Sequence, residues 1–180
     1  MALRKLYIPL VVFAAVTLSA CSAIPGRLVS KLSGKESYRQ SSESMMPTLK
    51  MGDVVTSEAT DGTYVPKAGD VIVFLPPESW GTSGGYMIKR VIGVPGSTVG
   101  CCDARHRMVV DGKPLDEPYV TNKRASNLTF GPTAIPEGRV WVQGDNRDVS
   151  LDSRSHRRSG NDGTVPVSSV IGVIDISTAR

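Results

Sequence analysis

Turn residues recur at short intervals along this chain, and their spacing constrains the fold more than any other feature. The 18 glycines and 12 prolines are spread through 180 residues and form no low-complexity block. Between them lie short runs of β-branched residues, one of which ends at Asp111-Gly112. Asp-Gly is typical of a type I′ hairpin turn, because both central residues of that turn adopt positive φ. The pattern predicts many short strands joined by tight turns.

The runs predicted as strands are rich in β-branched residues and are bounded by turn signals. They are Asp53–Thr56, Asp70–Phe74, Lys89–Val94, Met108–Val110, Val140–Val142 and Val170–Ile176. Beyond the amino terminus, no long segment has helical periodicity, and the sequence has no internal repeat. We therefore predict an all-β fold of mainly antiparallel strands in a partly closed sheet assembly. The polar, turn-rich stretch at about 97–136 is predicted to be an inserted β-ribbon lobe.

The amino-terminal segment, residues 1–25, is predicted to attach the chain to a membrane. Two basic residues precede an uncharged run from Leu6 to Pro25, which is about the length that a spanning helix needs. The segment is either a retained anchor or a cleaved signal, since Leu18-Ser19-Ala20-Cys21 resembles a lipoprotein lipobox with Cys21 as the lipidated residue. Both interpretations place the predicted linker at 26–37 and the predicted folded domain at 38–180 beside a bilayer.

Charge and cysteine usage favour neither a nucleic-acid partner nor a metal site. The net charge is +4, and the basic residues are scattered, with never more than two in a row. Cys101, Cys102 and His106 fall short of the four ligands that a structural metal site usually has. A disulfide between the adjacent cysteines stays open as an interpretation for an exported domain. We predict no metal, no cofactor and no nucleic-acid partner.

Three sequence blocks together indicate a catalytic site. They are Ser42-Glu43-Ser44-Met45-Met46-Pro47, then Ile88-Lys89-Arg90-Val91-Ile92-Gly93-Val94-Pro95-Gly96, and last Gly144-Asp145-Asn146-Arg147-Asp148-Val149-Ser150-Leu151-Asp152-Ser153-Arg154. Each block alone has an ordinary structural explanation, because a turn serine usually caps backbone groups and a strand lysine usually extends its amine to solvent. Together the blocks resemble the type I signal peptidases, which are serine endopeptidases with a Ser-Lys dyad. The second and third blocks are the more specific, since self-cleaving repressors share the Ser-Met element of the first.

The resemblance implies a role for each polar residue of these blocks. Ser44 is expected to be the nucleophile and Lys89 its base, with the Ser42 hydroxyl and the Ser44 backbone N–H forming the oxyanion hole. Ser150 is expected to orient the Lys89 amine. Site support is expected from Asp145, Asn146, Asp152 and Arg154. One departure from the family pattern is Val149, which stands where the family usually has asparagine.

The chemistry of lysine agrees with this assignment. A lysine can accept the serine proton only when it is neutral, so its pKa must fall by several units from about 10.4. Burial lowers the pKa of an amine, and Lys89 lies in one of the most apolar runs of the domain. We expect the neighbouring Arg90 to point to the opposite face of the strand.

The resemblance also implies how a substrate binds. An extended preprotein segment would add a β-strand between about Tyr38–Ser42 and Tyr86–Ile88. Small substrate residues before the cleavage site would enter shallow pockets at alternate positions. The substrate-binding residues are expected to be Met45, Tyr86, Met87 and Ile88. The partners so implied are preproteins and the lipid bilayer, with the catalytic domain on the outer face of a bacterial cell membrane.

Two other functions remain open at this point. A self-cleaving Ser-Lys protein of the repressor type would need a DNA-binding module where the amino-terminal segment stands. A lipoprotein-like binding domain would keep the fold and perform no catalysis, although Ser44, Lys89 and Ser150 are all intact.

Overall fold

The computed structural model describes residues 34–60, 62–82, 85–158 and 162–177. The predicted membrane segment at 1–25 lies outside these residues, as does most of the predicted linker. Within the described ranges, no helix is long and apolar enough to cross a membrane. These ranges contain β-strands and short 3-10 helices, which agrees with the prediction of an all-β fold.

The described residues form two antiparallel sheets. The larger sheet has seven strands, in the spatial order β1 (Lys35–Arg39), β2 (Val54–Ala59), β11 (Val170–Ile174), β3 (Val71–Phe74), β4 (Met87–Gly93), β9 (Arg139–Gln143) and β10 (Val165–Pro166). The smaller sheet has four, in the order β7 (Lys113–Pro114), β6 (Met108–Val110), β5 (Thr98–Cys101) and β8 (Phe130–Ala134). The 3-10 helices are Glu43–Met45, Glu78–Trp80 and Val167–Ser169.

The centre of the larger sheet is buried on both faces. All four side chains of β3 are buried, with Val71 and Val73 in one apolar cluster and Ile72 and Phe74 in another. Because successive side chains of a strand point to opposite faces, these two clusters cover opposite sides of the sheet. The neighbouring β4 pairs Lys89 with Ile72, so the sheet carries a lysine into its buried centre.

The smaller sheet spans Thr98 to Ala134, inside the stretch predicted as a lobe. It shares an apolar cluster with the larger sheet, to which the latter contributes Trp141. Cys101 and Cys102 are joined as a disulfide at the end of β5. At the other end of the domain, β1 begins at Lys35, within the range assigned from the sequence to a linker.

Candidate active site

Ser44 is held in a short turn that places its hydroxyl against the sheet. It occupies the middle of the 3-10 helix Glu43–Met45, which follows Ser42 in extended conformation. The Ser44 backbone N–H donates to the Ser42 hydroxyl over 3.4 Å, so Ser42 caps the helix as serine commonly does. Ser44 is 5% exposed, which leaves it buried beside the central strands.

Lys89 reaches Ser44 from the middle of β4. Its Nζ lies 2.8 Å from the Ser44 Oγ and 3.0 Å from the Ile88 carbonyl oxygen. Lys89 is 3% exposed, and this burial lowers its pKa to about 8, although the carboxylates of Asp152 and Asp145 oppose the shift. About a tenth of Lys89 is therefore neutral at pH 7 and about half at pH 8, and the neutral amine is the form that can accept a serine proton.

Two further side chains converge on the Ser44 hydroxyl. The Ser42 hydroxyl lies 3.0 Å from the Ser44 Oγ. The Gln40 amide donates to the Ser42 carbonyl oxygen over 2.7 Å, and its Nε2 lies 3.5 Å from the Ser44 Oγ. Gln40 is buried and had no role in the sequence-based assignment. Its position two residues before the cap carries no signal that sequence reasoning could use.

The third sequence block wraps around the backbone of Ser44. The Asn146 N–H donates to the Ser44 carbonyl oxygen over 3.0 Å. Gly144 lies so close that a Cβ there would collide with the Ser44 carbonyl oxygen and the Ser150 hydroxyl. The sequence-predicted residues Asn146, Ser150 and Ser44 are thus brought together around one glycine.

Ser150 does not make the hydrogen bond to Lys89 that the resemblance implies. Its Oγ is buried and has no hydrogen-bond partner within the described part of the chain. Burial alone would raise the pKa of Asp152, but the charge and hydrogen bonds of Arg154 keep this pKa below its ordinary value.

Buried ion pairs fix the loop from Gly144 to Arg154. Arg154 donates to both carboxylate oxygens of Asp152, over 2.9 and 2.8 Å, and Asp152 accepts the Gly144 N–H. Arg147 donates to the Gly144 carbonyl oxygen over 2.9 Å and forms a buried ion pair with Glu117. Sequence reasoning did not identify Glu117, which lies thirty positions away in the stretch predicted as a lobe and ties that stretch to this loop.

Asp145 anchors the loop to the strand that carries Lys89. It accepts hydrogen bonds from Arg90 on both oxygens, over 2.9 and 2.6 Å, and binds the Thr48 hydroxyl. The Arg90 guanidinium also lies 4.0 Å above the Tyr119 ring. Arg90 and Thr48, which carried no site role in the sequence analysis, thus link the serine turn, β4 and the loop.

An open cleft of about 540 Å³ leads to the dyad. Its lining includes Ser41–Ser44, Met87 and Lys89, together with three exposed apolar side chains, Met51, Val149 and Leu151. A smaller adjoining cleft is lined by residues 39–42 and 86–89, which include Tyr86 and Ile88.

Met45, assigned to substrate binding from the sequence, lies in the core. It is fully buried and belongs to the cluster that contains Leu49 and Ile88. It is not among the residues that line either cleft. The turn that exposes the Ser44 hydroxyl to Lys89 points the Met45 side chain inward, where it packs in the apolar core.

The sequence of this chain is similar to those of known signal peptidases. Residues 8–178 match the model of the family described as signal peptidase, peptidase S26. The probable signal peptidase I of Mycobacterium leprae is 36% identical over 189 residues, covering 75% of this chain and 65% of that protein. The probable signal peptidase I-1 of a Synechocystis species is 41% identical over 118 residues, covering 62% of this chain and 58% of that protein. The chain thus spans somewhat less than two thirds of the length of these curated relatives.

A solved structure also matches. The crystal structure of a signal peptidase I from Enterococcus faecalis is 29% identical, with a TM-score of 0.48, and the match covers 62% of this chain and 98% of that one.

Proposed function

Because this chain belongs to the signal peptidase family, peptidase S26, we propose that it is a serine endopeptidase that removes signal peptides from exported preproteins. The observation that carries the proposal is the 2.8 Å approach of the Lys89 amine to the Ser44 hydroxyl in a buried site. An alkyl hydroxyl is a weak nucleophile until a base takes its proton, and a neutral lysine is one such base.

The proposed reaction begins with acylation. Neutral Lys89 accepts the Ser44 proton as the Ser44 Oγ attacks the carbonyl carbon of the scissile bond. The resulting oxyanion is stabilised by the Ser44 N–H and the Ser42 hydroxyl. The Ser42 hydroxyl lies 3.0 Å from the Ser44 Oγ, and the Ser44 N–H points at that same hydroxyl. When the C–N bond breaks, the Lys89 ammonium returns the proton to the departing amine, and the signal peptide remains as an ester on Ser44.

Deacylation uses the same groups in reverse. Lys89, neutral again, accepts a proton from water as the water oxygen attacks the ester carbon. The oxyanion collapses, the C–O bond to Ser44 breaks, and the proton returns to the Ser44 Oγ. The bonds of Asn146 to the Ser44 carbonyl and of Asp145 to Arg90 support this geometry by holding the turn and β4 in place.

The substrate is proposed to bind as an extended strand with small residues before the cleavage site. The cleft between residues 39–42 and 86–89 is small, at about 80 Å³, and therefore favours small side chains next to the scissile bond. We further propose that the amino-terminal segment holds the enzyme at a bacterial membrane with its catalytic domain on the outer face. The exposed apolar Met51, Val149 and Leu151 at the cleft mouth suit a site close to lipid.

Cleavage of a preprotein by the full chain tests this proposal. Ser44→Ala and Lys89→Ala are expected to lower the rate by at least about a thousandfold, since the dyad acts as a unit. Ser41→Ala is the matched control, because Ser41 lines the same cleft and makes no proposed contribution to the chemistry.

Two results would contradict the proposal. Cleavage that survives both dyad substitutions would show that another group is the nucleophile. A wild-type chain that binds the preprotein and never cleaves it would favour the silent binding domain.

A further inference from the structure

Tyr86 bonds to the backbone of Arg39 at the edge of the larger sheet. Its hydroxyl accepts the Arg39 N–H over 2.9 Å and lies 3.0 Å from the Arg39 carbonyl oxygen, to which it donates. One side chain therefore occupies both hydrogen-bonding groups of a single strand residue. A neighbouring β-strand would make the same two bonds.

The two Arg39 groups face the open side of the strand. The adjacent Gln40 turns its N–H and C=O toward the β2 side, where they bond to Asp53 and Gly52 over 2.8 and 2.7 Å. Because the backbone groups of successive residues in a strand point to opposite sides, those of Arg39 and Ser41 point away from β2. β1 is the edge strand of the sheet, so an added strand would pair along this side.

Tyr86 also separates two spaces. On one side lies the narrow cleft that leads past Ser41 and Ser42 to Lys89. On the other side lies a groove of about 1000 Å³ whose walls include Tyr38, Tyr64 and Leu75. The Tyr86 ring packs edge-on against Tyr38, with centroids 4.8 Å apart, which holds it at the boundary.

We infer that the Tyr86 hydroxyl competes with the substrate main chain for Arg39 and so sets how far a substrate strand pairs along β1. This inference rests on the proposed function. A short substrate that pairs at Ser41 leaves Tyr86 in place. A longer one, which continues toward the groove, must displace the hydroxyl from both Arg39 groups before it can pair there.

The test compares Tyr86→Phe with wild type on two peptides that share a cleavage site. The short peptide ends at the residue opposite Ser41, and the long one extends four residues farther along β1. Loss of the hydroxyl removes both bonds to Arg39, so KM for the long peptide is expected to fall about five- to a hundredfold, the usual net effect of two hydrogen bonds. KM for the short peptide is expected to change by a smaller factor.

Tyr64→Phe is the matched control. Tyr64 lines the same groove, but its hydroxyl bonds to Asp70 and not to β1. It is expected to leave the ratio of the two KM values unchanged. Equal shifts for both peptides with Tyr86→Phe, or weaker binding of the long one, would overturn the inference.

A second measurement does not depend on cleavage. Hydrogen exchange of the Arg39 amide in the free full chain is expected to accelerate about three- to tenfold in Tyr86→Phe and to stay unchanged in Tyr64→Phe. An unchanged exchange rate of the Arg39 amide in Tyr86→Phe would overturn the inference even if the enzyme is active. A wild type that cleaves neither peptide would instead refute the proposed function, while the exchange result would still decide whether Tyr86 occupies Arg39.

Discussion

Replacing Lys89 by methionine is expected to stabilise the fold while it abolishes cleavage. Burial lowers the pKa of this lysine from 10.5 to about 8, and each unit corresponds to 1.36 kcal/mol. Holding the ammonium in the folded state at pH 7 is therefore unfavourable by about 3 kcal/mol. Methionine fills a similar volume without a charge, but it loses the bonds to Ser44 and Ile88, worth about 1 kcal/mol each. The net gain expected is therefore about 1 kcal/mol.

The pH dependence of this gain identifies its cause. Between pH 8 and pH 10.5 the unfolded chain keeps the Lys89 proton that the folded chain has released, so the wild type becomes more stable as pH rises through this window. The advantage of Lys89→Met is therefore greatest at and below pH 7 and shrinks toward pH 10.5. Urea unfolding of both proteins at several pH values measures the difference in the free energy of unfolding.

Lys50→Met is the control for this experiment, because Lys50 is exposed and its substitution is expected to change stability by less than about 0.5 kcal/mol. The reasoning is refuted if Lys89→Met is less stable than the wild type at pH 7, because the expected gain already includes the two lost hydrogen bonds. It is refuted equally if the stability difference stays constant from pH 8 to pH 10.5.

Two further substitutions test how the loop supports the site. Gly144→Ala is expected to lower kcat/KM for cleavage about a hundredfold, because the added Cβ would push against the Ser44 carbonyl and Ser150. Gly131→Ala is its control and should leave kcat/KM unchanged, because a Cβ there meets open space. Asp145→Asn is expected to destabilise the fold by about 3 kcal/mol in urea unfolding, because it leaves the buried Arg90 without its charge partner. The exposed Asp148→Asn should change stability by less than about 0.5 kcal/mol. Equal losses of activity for the two glycine variants would contradict the close contact at Gly144. Equal losses of stability for the two aspartate variants would contradict the role given to the Asp145–Arg90 ion pair.

The strands that could be predicted are those whose own residues favour a sheet. β3 is a continuous apolar run, and β4 has apolar residues on both sides of Lys89-Arg90; the structure buries both strands at the centre. β1 and β8 could not be found in this way. β1 consists of Lys-Glu-Ser-Tyr-Arg and β8 contains glycine and proline, so both depend on pairing with a neighbour and not on local preference.

The candidate site likewise contains features that local sequence predicts and contacts that it does not. The apolar run around Lys89 predicts its burial, and the structure confirms that burial. The contacts of Glu117 with Arg147 and of Thr48 with Asp145 join residues far apart in the chain, which local pattern cannot reveal. The inward direction of Met45 likewise follows from the turn and from core packing, neither of which the residue type specifies.

The pH profile of kcat/KM for preprotein cleavage tests the central claim most directly. In the free enzyme this quantity reports the ionisation of the essential base. If Lys89 is that base, kcat/KM rises about tenfold per pH unit below a midpoint near pH 8 and is level above it, as its lowered pKa requires. A profile that is flat or falling between pH 6 and pH 9 would contradict a neutral Lys89 acting on Ser44.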